Sequence, residues 1–301
     1  MTWRARFSIG WLLGIVFILA VLALDAWLLG RFLRDIGEQR IGLWTFFLGL
    51  GLFLSIPLLL LVAYHTLSCL TLRYHLDRNG VIVRWFGVEQ VIPIRDIQRI
   101  VPGRELGETV VRRRGLRWPG HERGLGLVPG IGRTRFLATR PLAEQLLLVT
   151  PRRAYAISPR DAEGFIRAYE SRRELGPNRL LERGPRYAGW LAWQFWRDQT
   201  AWGLLGTALA INLALFAYLC ARFARLDLQL ALHFNSLGQV DRIGPRTELF
   251  ALPIIGLIVL GVNLVLGLIL YRRERAGSYL LWGAAAAVQT LFWLAVFSLV
   301  P

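Results

Sequence analysis

Five apolar runs set the terms for this chain: residues 7–29, 41–67, 201–221, 249–271 and 278–300. Each reaches the roughly 20 residues that a helix needs to cross the hydrocarbon core of a bilayer. The first run is too long for the apolar region of a cleavable signal peptide. No small-residue cleavage site follows it, so it reads as a signal anchor. The composition agrees: 54% of residues are hydrophobic and the mean hydropathy is +0.43, above an ordinary soluble chain. Sixteen Phe and 12 Trp exclude intrinsic disorder, because such a chain has ample surface to bury. Two Cys exclude a disulfide scaffold.

Against that apolar content stands a net charge of +16, and all 36 basic residues are arginine. Arginine is always charged and forks onto carboxylate or phosphate, though a coding bias also produces an absence of lysine. Residues 73–197 hold 24 arginines against 12 acidic residues, so the charge concentrates between the second and third spans. The expected fold class is an α+β membrane protein with spans in a 2 + 3 arrangement. A two-helix transmembrane hairpin covers 1–70, an extramembrane domain 71–177 and an interfacial linker helix 178–200. A three-helix bundle covers 201–301, with an outer loop at 222–248.

Arginines in the short flanks set orientation. Arg4, Arg6, those beside the middle domain and Arg272, Arg273 and Arg275 lie on one side. Arg31, Arg34, Arg40, Arg222, Arg225, Arg242 and Arg246 lie on the other. The bias predicts a membrane protein with N-terminus and middle domain in the cytoplasm and C-terminus outside. Cys69 and Cys220 then sit near opposite faces and cannot pair.

In the middle domain the hydrophobic period changes to two. Leu72, Tyr74 and Leu76 alternate with Arg73 and His75, as in a half-buried strand. Asp77-Arg78-Asn79-Gly80 is a turn signal, and residues 81–86 follow as a second strand. Further strands fit 89–94, with Pro93 at an edge or strand end, and 97–101, 109–113 and 134–138. A last hairpin fits 146–150 and 154–157, turning at Pro151-Arg152-Arg153. A closing helix is expected with Ser158 as N-cap, Pro159 in its first position and Asp161 completing a capping box. Phe165, Ile166 and Tyr169 form its apolar face, and Gly176-Pro177 ends it.

Many short strands followed by one helix is the order of a pleckstrin-homology-like domain. The segments Tyr74-His-Leu-Asp-Arg-Asn-Gly-Val-Ile-Val, Ile92-Pro-Ile-Arg-Asp-Ile and Leu146 to Ile166 resemble bacterial PH-like domains. The likeness covers about residues 72–175. It implies a seven-stranded bent sandwich plugged by the helix, acting as a binding module rather than an enzyme. Residues 102–140 read as a long loop with nine arginines. Arg112, Arg113, Arg114, Arg117 and Arg123 are its candidate lipid- or partner-binding residues, each contributing about 1 kcal/mol beside an anionic leaflet. A solvated positive surface that only fixes topology is the competing reading. No nucleic-acid-binding signature occurs.

The linker Trp190, Trp193, Phe195, Trp196 and Trp202 suits a helix at headgroup depth or the aromatic belt of the third span. Three amides fall near mid-depth in the last three spans: Asn212, Asn263 and Gln289. An amide in hydrocarbon needs a partner, so these are expected to hydrogen-bond across a packed bundle, with a translocation path as the functional alternative. Asp25, near the outer end of the first span, has Arg31 as an expected partner.

The outer loop resembles an uncharacterised bacterial membrane segment found in some bacteriocin-immunity-type proteins. It carries His233, Phe234, Asn235, Gly238, Asp241 and Gly244, with Val240 where that segment has proline. His233, Asn235 and Asp241 are candidates for a metal or headgroup, or for bonds within their own loop.

No metal, nucleophile or phosphate-loop motif occurs, and the glycine-rich stretch 124–132 lacks the P-loop lysine. The sequence therefore points to a non-enzymatic integral membrane protein without cofactors. Its domain is expected to bind a protein partner or the anionic membrane surface, with membrane lipids as partners and no nucleic acid. An accessory subunit of a larger transport or electron-transfer complex is the alternative, and a transporter in its own right a lesser one.

Overall fold

The N-terminal residues and the middle of the chain build one sheet, an arrangement that no local pattern announces. The computed structural model describes residues 1–6, 8–106, 112–114, 118–235 and 239–300, with backbone only at 112–114, 190 and 234. The chain divides into two compact units, Met1–Ala23 with Ser55–Trp193 and Leu24–Leu54 with Gln194–Pro301.

The first unit opens with strand β1 (Thr2–Arg4). Two long helices, α1 (Gly10–Gly37) and α2 (Leu43–Thr71), follow and run on into the second unit. Nine strands come next: β2 (Arg73–Leu76), β3 (Gly80–Trp85), β4 (Val88–Pro93), β5 (Arg99–Pro102), β6 (Arg112–Arg114), β7 (Glu122–Val128), β8 (Gly132–Ala138), β9 (Leu146–Val149) and β10 (Ala154–Ile157). Helix α3 (Ala162–Leu175) and strand β11 (Gly184–Tyr187) complete the unit.

One sheet has the order β1-β2-β3-β4-β11 and the other β5-β9-β10-β8-β7-β6. All pairs are antiparallel except β8 with β10. Between the sheets lie Tyr74, Val83, Trp85, Ile92, Leu148 and Ile157, with Phe165 and Tyr169 of α3 plugging the core. Trp3 of β1 meets Phe165 edge-on at 5.2 Å. The Tyr169 hydroxyl donates to the Ile97 carbonyl at 3.1 Å.

The sandwich has eleven strands, against the seven that the resemblance implied and the eight segments read from the sequence. β1 is one addition and β11 another. A third is β7, read from sequence as loop because Gly124 and Gly126 dilute its pattern. Residues 109–111 of the strand expected at 109–113 lie outside the described residues.

The linker is not a helix. β11 pairs with β4 along four residues, and short 3-10 turns follow at Gly189–Ala192 and Gln194–Arg197.

Ser158 does not cap α3 either. Its hydroxyl accepts from the Thr139 amide at 2.9 Å, and its own amide donates to Tyr74 Oη at 3.1 Å. Asp161 is the N-cap, Oδ1 accepting from the Gly164 amide at 2.8 Å.

The second unit contains α4 (Gln199–Arg222), the hairpin β12 (Gln229–Phe234) and β13 (Val240–Pro245), α5 (Ala251–Tyr271) and α6 (Arg275–Leu299). Leu215, Leu219, Leu249 and Val296 form its buried centre. Gly267 allows the Trp282 indole to lie on the α5 backbone, since a Cβ there would stand 2.2 Å from its Nε1. Asp198 joins three helices: Oδ1 caps α4 through the Ala201 amide at 3.1 Å. Oδ2 accepts the hydroxyls of Tyr271 and Tyr279, each at 2.5 Å. Those two hydrogen bonds hold the Asp198 carboxyl at a pKa of about 2. In the C-terminal part of α1, Arg31 pairs with Asp35 at 3.4 Å instead of with Asp25. The i,i+4 spacing presents Asp35 one turn away on the same face.

Five helices are long and apolar enough to cross a membrane: Gly10–Gly37, Leu43–Thr71, Gln199–Arg225, Arg246–Tyr271 and Arg275–Leu299. They mark an α+β, multi-pass membrane protein.

Candidate functional site

Strand alternation in the five-stranded sheet sends Trp3, Tyr74, Val83 and Trp85 inward and puts charge on the other face. The register then aligns that charge. Arg4 stands opposite Arg73, Arg73 opposite Arg84, Arg84 opposite Glu89 and Glu89 opposite Arg186. One row across five strands therefore carries four arginines and a single carboxylate. Adjacent strands lie about 4.8 Å apart, and like charges directly opposite destabilise a sheet. Arg84 Nε donates to Glu89 Oε1 at 2.8 Å. The Arg4, Arg73 and Arg186 side chains are exposed and have no ion-pair partner among the described residues.

The row lies where both first-unit helices meet the sheet. Arg73 is two residues past the end of α2, and Arg4 six residues before the start of α1. Two residues of extended chain reach at most about 7 Å, so Arg73 stands beside the end of an apolar helix. The β3–β4 turn is fixed to that helix end. The Phe86 amide donates to Thr71 Oγ1 at 3.0 Å, and the Phe86 ring meets Tyr64 edge-on at 5.6 Å. Gly87, at φ +72°, supplies the left-handed conformation that this two-residue turn requires. An open cleft of about 610 Å³ results, lined by Thr71, Arg73, Arg84, Phe86, Arg186 and Tyr187 among others. It offers guanidinium forks and aromatic surface together, the chemistry that suits a phosphate on an apolar stem.

Of the loop arginines expected to bind lipid, Arg123 is turned inward. Its Nη1 donates to Tyr64 Oη at 2.7 Å, and its guanidinium lies 4.9 Å from the Trp85 ring centroid and 5.4 Å from that of Tyr64. Such stacking holds the β-sheet end to α2. Neighbouring contacts do the same. Trp118 Nε1 donates to the Gly10 carbonyl at 3.1 Å. Trp118 also stacks on His65 at 5.6 Å, and His121 Nδ1 lies 2.9 Å from Cys69 Sγ. Burial, with Arg123 and His65 nearby, pushes the His121 pKa down to about 4, so the imidazole is neutral. Arg112, Arg113 and Arg114 are placed by backbone only, opposite Leu127, Gly126 and Leu125. Arg117 lies outside the described residues.

The intramembrane amides divide. Asn212 Nδ2 donates to the Gln289 Oε1 and to the Pro253 carbonyl, both at 2.9 Å. Gln289 Nε2 donates to the Gly256 carbonyl at 2.7 Å. Asn263 is not in this network. It is half-buried, seven residues beyond Gly256 and so about 10 Å further along α5.

In the β12–β13 hairpin His233 Nδ1 lies 2.6 Å from Asp241 Oδ1, and Asn235 Oδ1 accepts from the Gln239 amide at 2.9 Å. These candidates bond one another across their own turn. Among the described residues no group of three His, Cys, Asp or Glu side chains is placed to hold a metal.

Residues 72–173 match the family model of a bacterial PH domain. The matched segment starts at Leu72, one residue before β2, and ends in α3. It leaves out β1 and β11, the two strands that contribute Arg4 and Arg186 to the row. A second model, of a domain of unknown function, matches residues 210–257. It spans the β12–β13 hairpin and names no role, so nothing in it supports the bacteriocin-immunity likeness. Neither a curated protein nor a solved structure matches the chain.

Sequence reading missed Arg4, Arg73, Arg84 and Arg186 as a group. Each is an unremarkable surface arginine in its own strand, and only the pairing register makes them neighbours.

Proposed function

We propose that this chain is a non-enzymatic membrane protein whose PH domain, on the cytoplasmic side, grips the headgroups of anionic phospholipids. The supporting observation is the in-register row Arg4–Arg73–Arg84–Glu89–Arg186 beside the ends of two membrane helices. Three arginines in excess of carboxylate at headgroup depth have phosphate as their natural counterion. At about 1 kcal/mol for each basic residue near an anionic surface, the three contribute roughly a hundredfold in affinity. In this reading the PH domain anchors or reports on the leaflet to which its own helices tie it.

The test is thermal unfolding of the full chain in nanodiscs, phosphatidylcholine alone against phosphatidylcholine with phosphatidylglycerol. The expected result is a higher midpoint with phosphatidylglycerol, largely lost in the R4Q/R73Q/R186Q variant. Equal midpoints in both lipids would overturn the reading.

Docking of a protein partner is the second reading. It is favoured by Leu125 and Leu127 on β7, exposed at 53% and 55%, next to the end strand β6.

A further inference from the structure

The second unit holds a half-open cavity that none of the roles above uses. It has a volume of about 430 Å³, within the roughly 300–1,000 Å³ of small-molecule sites. Phe32 and Phe46 from the α1–α2 hairpin and Phe216 and Phe250 from the α4–α5 region form much of its wall. Its polar lining is unevenly placed. Thr45, Thr247 and Cys220 lie at helix ends, whereas Asn212 lies eight residues before Cys220, about 12 Å deeper along α4.

Asn212 is fully buried, and its Oδ1 has no hydrogen-bond partner among the described residues. The amide orientation is not free. Nδ2 already serves two carbonyl oxygens, of Pro253 and Gln289, and reversing it would set oxygen against oxygen. The unused group is therefore an acceptor, and what it lacks is a donor. A buried polar atom without a partner is unfavourable in an apolar setting.

We propose that this cavity binds an apolar, membrane-dissolved molecule carrying a hydroxyl, with the hydroxyl donating to Asn212 Oδ1. The phenylalanine walls accept the hydrocarbon, and the unpaired Asn212 acceptor selects an alcohol over an alkane of equal length. The proposal is independent of the headgroup site, which lies in the other unit.

The test uses the full chain carrying Cys69→Ser, in phosphatidylcholine nanodiscs, with 1-dodecanol and n-dodecane as probes. Two readouts run in parallel: the thermal midpoint, and the rate at which N-phenylmaleimide alkylates Cys220. Dodecanol is expected to raise the midpoint and slow alkylation, acting at about fivefold lower concentration than dodecane, as one net hydrogen bond implies. Leu213→Trp, which fills the cavity beside Asn212, should remove both effects. If that variant fails to fold, the contrast between the two probes on the Cys69→Ser chain decides alone. Equal potency of dodecanol and dodecane, or no effect of either because water alone satisfies Asn212, would overturn the proposal.

Discussion

Arg73 stands directly opposite Arg84 on neighbouring antiparallel strands, and both side chains face solvent. Arg84 has Glu89 as counterion; Arg73 has Arg4 on its other side. A sheet optimised for stability alone would not place three arginines abreast. The pairing therefore makes two opposite predictions. Arg73→Gln should leave stability in neutral lipid unchanged or raise it by about 0.5 kcal/mol, while weakening the response to phosphatidylglycerol. Glu89→Gln should lower stability in neutral lipid and strengthen that response. Unfolding midpoints in the two lipid mixtures check both, and raising salt should shrink the lipid effect.

The Asn212–Gln289 bond ties α4 to α6, and Gln289 to Gly256 ties α6 to α5. Interhelical hydrogen bonds within membranes average about 0.6 kcal/mol. Gln289→Leu removes two of them and should destabilise the bundle by about 1 kcal/mol. Gly256→Ala should be at least as damaging, because its Cβ would stand 2.4 Å from Gln289 Oε1 and 2.8 Å from Asn212 Nδ2. Unfolding of the full chain in mixed micelles, followed by tryptophan fluorescence, measures both.

Asp198 sets an acid limit. Its folded pKa, about 2, lies below the ordinary 3.8 because Tyr271 and Tyr279 donate to the charged form. A depressed carboxylate pKa stabilises the fold above the unfolded value, and that contribution is lost as pH falls from about 4 toward 2. Asp198→Asn should flatten the pH dependence in that window and lower stability at neutral pH. A melting series across the window reads the difference.

The capping assignment separates Asp161 from Ser158. Asp161→Ala should cost about 1 kcal/mol as loss of an N-cap. Ser158→Ala should act through the buried Thr139 and Tyr74 contacts, leaving α3 with its cap. Hydrogen exchange at the first turn of α3 distinguishes them, with faster exchange at Gly164 expected only for the Asp161 variant.

The membrane spans were legible because a run of more than 20 apolar residues has few homes other than a bilayer. Strands β2 to β4 were legible from alternation and from Asp77, whose Oδ1 accepts the Asn79 and Gly80 amides at 2.8 Å as the turn signal implies. β1 was not: three residues carry little pattern, and its partner lies about 70 residues away. Its addition placed Arg4 beside Arg73, so the candidate site was invisible for the same reason. Asn212 and Gln289 drew notice as amides among apolar residues. Asn263 looked equivalent because depth along a helix can be counted, whereas the level and face its partners occupy belong to the packing. Arg123 was read as membrane-facing from its company in sequence, while Tyr64 and Trp85, which hold it, come from distant elements.

The most direct measurement is mass analysis of the intact chain released from micelles containing phosphatidylglycerol. Two variants are compared with the unaltered protein: R4Q/R73Q/R186Q, and R112Q/R113Q/R114Q/R117Q. The account predicts that retained phosphatidylglycerol is lost in the first variant and kept in the second. Retention in the first with loss in the second would contradict it.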